Sequence, residues 1–306
     1  MPLHPRAFSV TVIWTLLLLL LGSVVHATES SLACPDWPTC FGTMTPEMTG
    51  GVFWEHLHRL VAGGLVLMFG LATWLARKEA MDSPWVFTVA LAGLGLLLIQ
   101  SLFGGLTVLY RLPDLVSTTH LGLAFVFLAL ATVLASSTRQ GPRGVMSEAH
   151  RLRVRALASL SAGLVLVQSV VGALVRHMDA GMACPDVPLC LGQVVPPLVN
   201  APITAHFLHR VLAMGVATVV IGLAVWARRS GVGDPARRWL DRAAYLAVVQ
   251  VGLGVASILT VLAVVPVALH TVFAAALLAT LAHAATIAHH APTARSGAHE
   301  PAPAAA

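Results

Sequence analysis

Eight long apolar runs limit what this chain can fold into, since roughly 20 consecutive apolar residues are needed for a helix to cross the hydrocarbon of a bilayer. They fall at Phe8–Val25, Val52–Ala76, Trp85–Leu109, Leu115–Ser137, Val154–Val175, Ile203–Ala227, Trp239–Leu262 and Pro266–His289. The segments between them hold the charges and most of the prolines. Only 10% of the 306 residues are charged, against about 25% in a soluble domain. The runs lack the two-residue alternation of a membrane barrel. The expected fold class is therefore an all-α integral membrane protein with eight transmembrane helices.

Lys and Arg set the orientation. One set of loops carries Arg6, then Arg77 and Lys78, then Arg139, Arg143, Arg151, Arg153 and Arg155, then Arg228, Arg229, Arg237, Arg238 and Arg242. The opposite loops carry Arg111 and Arg176. This bias predicts a multi-pass protein of the cell membrane with both termini cytoplasmic. It also accounts for the net charge of +5 without a nucleic-acid partner. The first run ends in Val25-His26-Ala27, which resembles a signal-peptide cleavage site. The repeat described next argues that it is retained as a helix.

The sequence repeats itself at an offset of about 150 residues. Cys34-Pro35-Asp36-Trp37-Pro38-Thr39-Cys40 returns as Cys184-Pro185-Asp186-Val187-Pro188-Leu189-Cys190. Gly22, Gln100 and His120 return as Gly172, Gln250 and His270, and His58-Arg59 returns as His209-Arg210. Each copy spans four times, so both have the same orientation, and a pseudo-twofold axis along the membrane normal should relate them. The expected organisation is an N-terminal four-helix half (1–140), a cytoplasmic linker (141–152), a C-terminal four-helix half (153–290) and a disordered cytoplasmic tail (291–306).

An ionisable residue within a spanning helix is costly and marks a functional candidate. His58 and His120 lie about six residues, or roughly 9 Å, inside the same end of their helices, and His209 and His270 do likewise. Paired imidazoles at equal depth on neighbouring helices build cofactor sites in bundles. A planar iron porphyrin with one axial ligand on each face fits such a pair. The copies differ beside the first histidine. Glu55 precedes His58 by one helical turn, whereas His206 holds that place before His209. A carboxylate beside such a pocket can accept a proton or stabilise developing positive charge; pairing with Arg59 at i+4 is the plainer role. Arg59 and Arg210 suit either contact with a cofactor carboxylate or snorkelling to the interface. The cysteines sit in the outer loops, an oxidising location, so disulfides Cys34–Cys40 and Cys184–Cys190 are expected. Gln100, Gln168 and Gln250 are expected to hydrogen-bond between helices. The unrepeated His283, His289 and His290 are expected at an interface or in solvent.

These features together resemble the haem A synthase family over roughly residues 8 to 290. The motifs that carry the resemblance are the Cys-Pro-Asp-x-Pro-x-Cys loops, the Glu55-x-x-His58-Arg59 start of the second helix, and His120, His209 and His270. The resemblance implies oxidation of a methyl group of haem O to a formyl group, giving haem A for terminal oxidases. It implies haem O as substrate between His58 and His120, with Glu55 catalytic, and a haem b iron cofactor between His209 and His270. Arg59, Arg210 and Arg176 are candidate propionate contacts. A haem O synthase (a farnesyltransferase) and an electron acceptor are the expected partners, and a homo-oligomer is compatible with the sequence. A dihaem b-type electron-transfer cytochrome is the alternative reading; it gives no reason for Glu55 to occur in one half alone. Val187 in place of Trp37, and His26 opposite Arg176, depart from the family pattern in the outer loops.

Overall fold

The computed structural model describes residues 4–79, 84–139 and 144–293. Eight long helices run through them: α1 (His4–Ala27), α2 (Gly50–Ala76), α3 (Pro84–Leu109), α4 (Asp114–Thr138), α5 (Glu148–His177), α6 (Ala201–Arg229), α7 (Ala236–Leu259) and α8 (Val264–His289). All eight are long and apolar enough to cross a membrane. Their outward faces remain apolar, with Leu67 77% and Ile13 59% exposed. Hydrocarbon solvates such faces; water would not tolerate so much contiguous apolar surface. The protein is therefore an all-helical, multi-pass membrane protein.

Local chemistry moves two helix ends from where hydropathy alone puts them. Helix α5 begins at Glu148, inside the expected linker, because the hydroxyl of Ser147 caps it by accepting the His150 N–H at 3.2 Å. Helix α7 stops at Leu259 rather than Leu262. Val261 and Leu262 turn left-handed (φ 51° and 61°), and the Leu262 N–H returns to the Ser257 carbonyl at 2.7 Å. That bond closes the helix as a Schellman turn does. The end of α3 is built the same way: Arg111 and Leu112 are left-handed, and the Leu112 N–H reaches the Thr107 carbonyl at 2.7 Å. Of the segments expected to be linker and tail, residues 140–143, including Arg143, and 294–306 lie outside the described residues.

Helices α1 to α4 close into a ring, with α1 on α2 and α4, α2 on α3, and α3 on α4. Helices α5 to α8 make the corresponding contacts. The rings meet through α1 on α8, α4 on α5, and α4 on α8. Exchanging the halves maps this set of contacts onto itself. The first ring is filled by aromatics: Phe8, Phe69 and Phe127 are buried and stack in sequence, with centroids 5.9 and 5.0 Å apart. An alanine-rich cluster around Leu240 and Ala284 fills the second ring, and Leu19, Leu128, Val165 and Leu278 share a core between the two. His283, expected at an interface or in solvent, bonds to Ser136 at 2.7 Å and stacks edge-on to Trp239 at 4.4 Å.

Both cysteine loops lie at one end of the bundle, where α1 and α5 finish. The first is keyed into the bundle by Trp37, whose ring rests on Gly105 of α3, where an added Cβ would stand 2.7 Å from it. The matching positions carry Val187 and Val255. A large residue over a small one is thus replaced by two of middle size. The summed side-chain volume is conserved between the halves. Gly105→Val should accordingly expel Trp37 and destabilise the protein by about 1–3 kcal/mol, read as a lowered melting temperature in detergent. Pairing it with Trp37→Val should restore most of the loss.

Candidate functional site

The first ring encloses a cavity of about 380 Å³ that reaches the cysteine-loop end. His58 of α2 and His120 of α4 both line it. Each ring rests against a glycine on a neighbouring helix. An added Cβ would come within 3.0 Å of His58 at Gly22 and within 3.0 Å of His120 at Gly104. The second ring repeats the device, with Gly172 against His209 at 2.8 Å and Gly254 against His270 at 3.2 Å. Small residues at these four positions are what allow an imidazole to fit between packed helices.

The rings of the second pair stand edge-on to one another, with 70° between their planes. The centroids of His209 and His270 are 6.4 Å apart. An imidazole nitrogen lies about 2 Å from a bound metal ion, with the ring centroid about 1 Å behind it, so two axial imidazoles stand roughly 6 Å apart. The spacing fits a metal ion held between them. Nδ1 of His270 is buried without a hydrogen-bond partner, and its Nε2 lies 3.3 Å from the Gln250 amide.

Three glutamines hold these rings, in line with the expectation that they bond between helices. The Nδ1–H of His120 donates to the Gln100 carbonyl at 3.1 Å. The Gln250 amide donates to the His270 carbonyl at 2.9 Å. The Gln168 amide lies 2.8 Å from Nδ1 of His209 and donates to that residue's carbonyl at 2.9 Å. The position matching Gln168 in the first half is Leu18, which lines the cavity. His58 therefore sits opposite an apolar side chain where His209 has an amide.

Glu55 is buried, lines the cavity and is doubly anchored. Its Oε2 accepts the Cys34 N–H at 2.7 Å, and its Oε1 pairs with Arg59 at 2.5 Å. Arg59 also donates to the carbonyls of Asp36 at 2.7 Å and Thr39 at 2.5 Å, so the pair clamps the cysteine loop onto α2. In the second half, Nδ1–H of His206 donates to the Ala180 carbonyl at 2.9 Å, and its Nε2 accepts from Arg210 at 3.1 Å. Arg210 in turn donates to the carbonyls of Asp186 and Leu189, both at 2.8 Å, and to that of Cys184. The clamp is common to both halves; the carboxylate is in the first alone. Within the loops the disulfides are Cys34–Cys40 and Cys184–Cys190.

Glu55, His58, Arg59, His120 and Arg176 therefore share one cavity, and His209 with His270 forms a separate pair. Arg59 and Arg210 point their guanidinium groups at loop carbonyls. Arg176 reaches the first-half cavity from α5 in the other half. Three lining residues escaped notice as site residues: His56, whose Nε2–H donates to the Met44 carbonyl at 3.0 Å, and His26 and His177, whose rings stack 5.3 Å apart. One signal was available, since His26 occupies the place of Arg176 in the repeat.

The family model described as cytochrome oxidase assembly protein (COX15-CtaA) matches residues 6–282. A protein named heme A synthase from Symbiobacterium thermophilum is 32% identical over 250 residues, covering 78% of this chain and 80% of its own length. One of that name from Shouchella clausii is 30% identical, covering 71% and 73%. Another, from Shewanella oneidensis, is 26% identical over 313 residues, covering 89% and 92%.

The loops are held from within by their aspartates. Asp36 accepts from the Thr39 hydroxyl and from the N–H groups of Gly42 at 2.9 Å and Phe41 at 2.6 Å, and these bonds hold its carboxyl below the usual range. Asp186 is lowered likewise by the N–H groups of Gly192 and Leu191, both at 2.7 Å. A depressed folded pKa stabilises the turn above the unfolded pKa and ceases to do so as pH falls through the folded one. Amide hydrogen exchange at Phe41 and Gly42 should therefore be slow at neutral pH, relative to the intrinsic rate, and lose protection in acid. Asp36→Asn should lose that protection already at neutral pH.

Proposed function

The chain belongs to the haem A synthase family, and from that premise we propose a division of labour between its two histidine pairs. The protein is a haem-modifying membrane oxidoreductase that produces haem A. In this reading the N-terminal half takes the substrate, haem O, into the cavity between His58 and His120. The C-terminal half holds haem b between His209 and His270. The observation that carries the assignment is Glu55: it lines the first cavity with two histidines, while the matching His206 is tied to a carbonyl and an arginine.

Haem b, when bound, supplies a one-electron redox centre. His209 and His270 would hold it, with Gln168 and Gln250 bonded to them. The 6.4 Å spacing of the rings supports that role. His58 and His120 would hold the substrate with its oxidisable methyl group toward Glu55. Fixed by the Cys34 N–H and by Arg59, Glu55 is oriented before substrate arrives and needs no rearrangement to act. It serves there as a proton acceptor for an attacking water or as a counter-charge to positive charge on the methyl carbon. The cavity walls are largely hydrocarbon and keep bulk water away, which strengthens that charge.

The substrate's farnesyl tail makes entry from the lipid between helices the natural route. A haem O synthase would deliver the substrate, and a separate acceptor would take the electrons. Both termini would be cytoplasmic in the cell membrane, with the cysteine loops outside. A pseudo-twofold axis along the membrane normal would relate the halves at 1–140 and 153–290, and the interchangeable contacts between rings support it.

Expression beside a source of haem O, followed by chromatography of the extracted haems, should reveal haem A; its absence from a folded, haem-loaded protein would reject the reading. Glu55→Gln should retain bound haem by its absorbance spectrum yet lose at least about a hundredfold in haem A yield, the scale of general acid–base catalysis. A normal yield from that variant would remove Glu55 from the chemistry.

A further inference from the structure

We propose that Arg176, flanked by His26 and His177, is a carboxylate-binding subsite that α5 lends to the cavity of the other half, and that its ligand is a propionate of the bound porphyrin. The proposal rests on the reading of that cavity as a porphyrin site. Its physical basis is a cation without a counter-ion. Arg176 lines the cavity, and Nη1 donates to the Ser23 hydroxyl at 3.1 Å and Nη2 to the Ser23 carbonyl at 2.9 Å. Its Nε is enclosed and has no hydrogen-bond partner. No carboxylate among the described residues pairs with it. The other full charges on the cavity wall, Glu55 and Arg59, neutralise each other at 2.5 Å. The cavity is left with one unbalanced positive charge.

Such a charge, enclosed by protein, is expensive. The Ser23 carbonyl lies in the last turns of α1, and the negative end of that helix dipole offsets part of the cost. Neutral partners and a partial charge do not neutralise a guanidinium, whose planar fork of donors matches a carboxylate. The neighbours are suited to the same ligand. His26 and His177 bring further ring nitrogens to the wall, and His177 is placed by a 3.2 Å bond between Nδ1 and the Thr118 hydroxyl. Ser23 is itself fixed by a 3.1 Å bond to Thr271, the residue after His270. Arg176 is thus positioned by groups from both halves, and the cavity lacks its cation without the second half. A lipid phosphate has the same charge, but the subsite shares the cavity of His58 and His120, where the carboxylates of a porphyrin would be carried in with its iron.

The test compares iron protoporphyrin IX with its dimethyl ester, each titrated by absorbance into purified full-length protein free of haem. Subtracting the signal of a His58→Ala, His120→Ala double variant isolates the cavity. A charged hydrogen-bonded pair corresponds to about tenfold to a hundredfold in affinity, so the free acid should bind tighter than the ester by at least about tenfold. Arg176→Gln should abolish that preference, and Arg176→Lys should restore part of it. Equal binding of acid and ester by the wild-type protein, which requires no variant to fold, would overturn the subsite while leaving the porphyrin cavity intact. So would a preference unchanged in Arg176→Gln, or a loss of preference in excess anionic lipid alone. Failure of both porphyrins to occupy the wild-type cavity would reject the porphyrin reading and the subsite with it.

Discussion

Inside hydrocarbon no water is available to satisfy a polar group, and each buried imidazole, amide or guanidinium must find a partner in the protein or in a ligand. That constraint organises the structure more than any single contact does. The glutamines of α3, α5 and α7 bond to the histidines of α4, α6 and α8. The arginines that follow His58 and His209 are spent on loop carbonyls. The groups that remain unsatisfied are then informative. Nδ1 of His270 and Nε of Arg176 are among them.

The two halves share one scaffold, and a few substitutions separate them. Both press their histidines against glycines, both end their third helices in a left-handed pair, and both clamp a disulfide loop with an arginine. The first half has Glu55 and Leu18 where the second has His206 and Gln168. His26 and Arg176 add a third inequality: the guanidinium comes from the second half but serves the cavity of the first. The cavity of the first ring is thus lined by residues of both halves.

The loops show how a loss in one place is absorbed in another. Trp37 lies over Gly105, and the matching residues are Val187 and Val255. The clamp survives in both halves because its acceptors are backbone carbonyls, which a change of side chain does not remove. The loop therefore tolerates variation at its centre while its ends stay fixed by disulfide and arginine.

Much of this was legible in the residues. Hydropathy placed the eight spans because the cost of exposing a backbone amide to lipid is independent of partners. The 150-residue repeat identified the histidine pairs and the cysteine loops, since matched sequence at matched depth carries its own position. The end of α7 was misplaced because left-handed Val261 and Leu262 are apolar residues in a turn, and hydropathy does not register backbone angles. The Glu55–Arg59 pair was foreseeable from helical spacing, whereas its hold on the Cys34 loop was not, because that contact joins residues 21 apart in the chain. Sequence alone thus determined how many times the chain spans and which residues recur. Only the tertiary structure decided that Arg176 belongs to the opposite half's cavity, because charge balance is a property of what packs together and not of what lies adjacent in the chain.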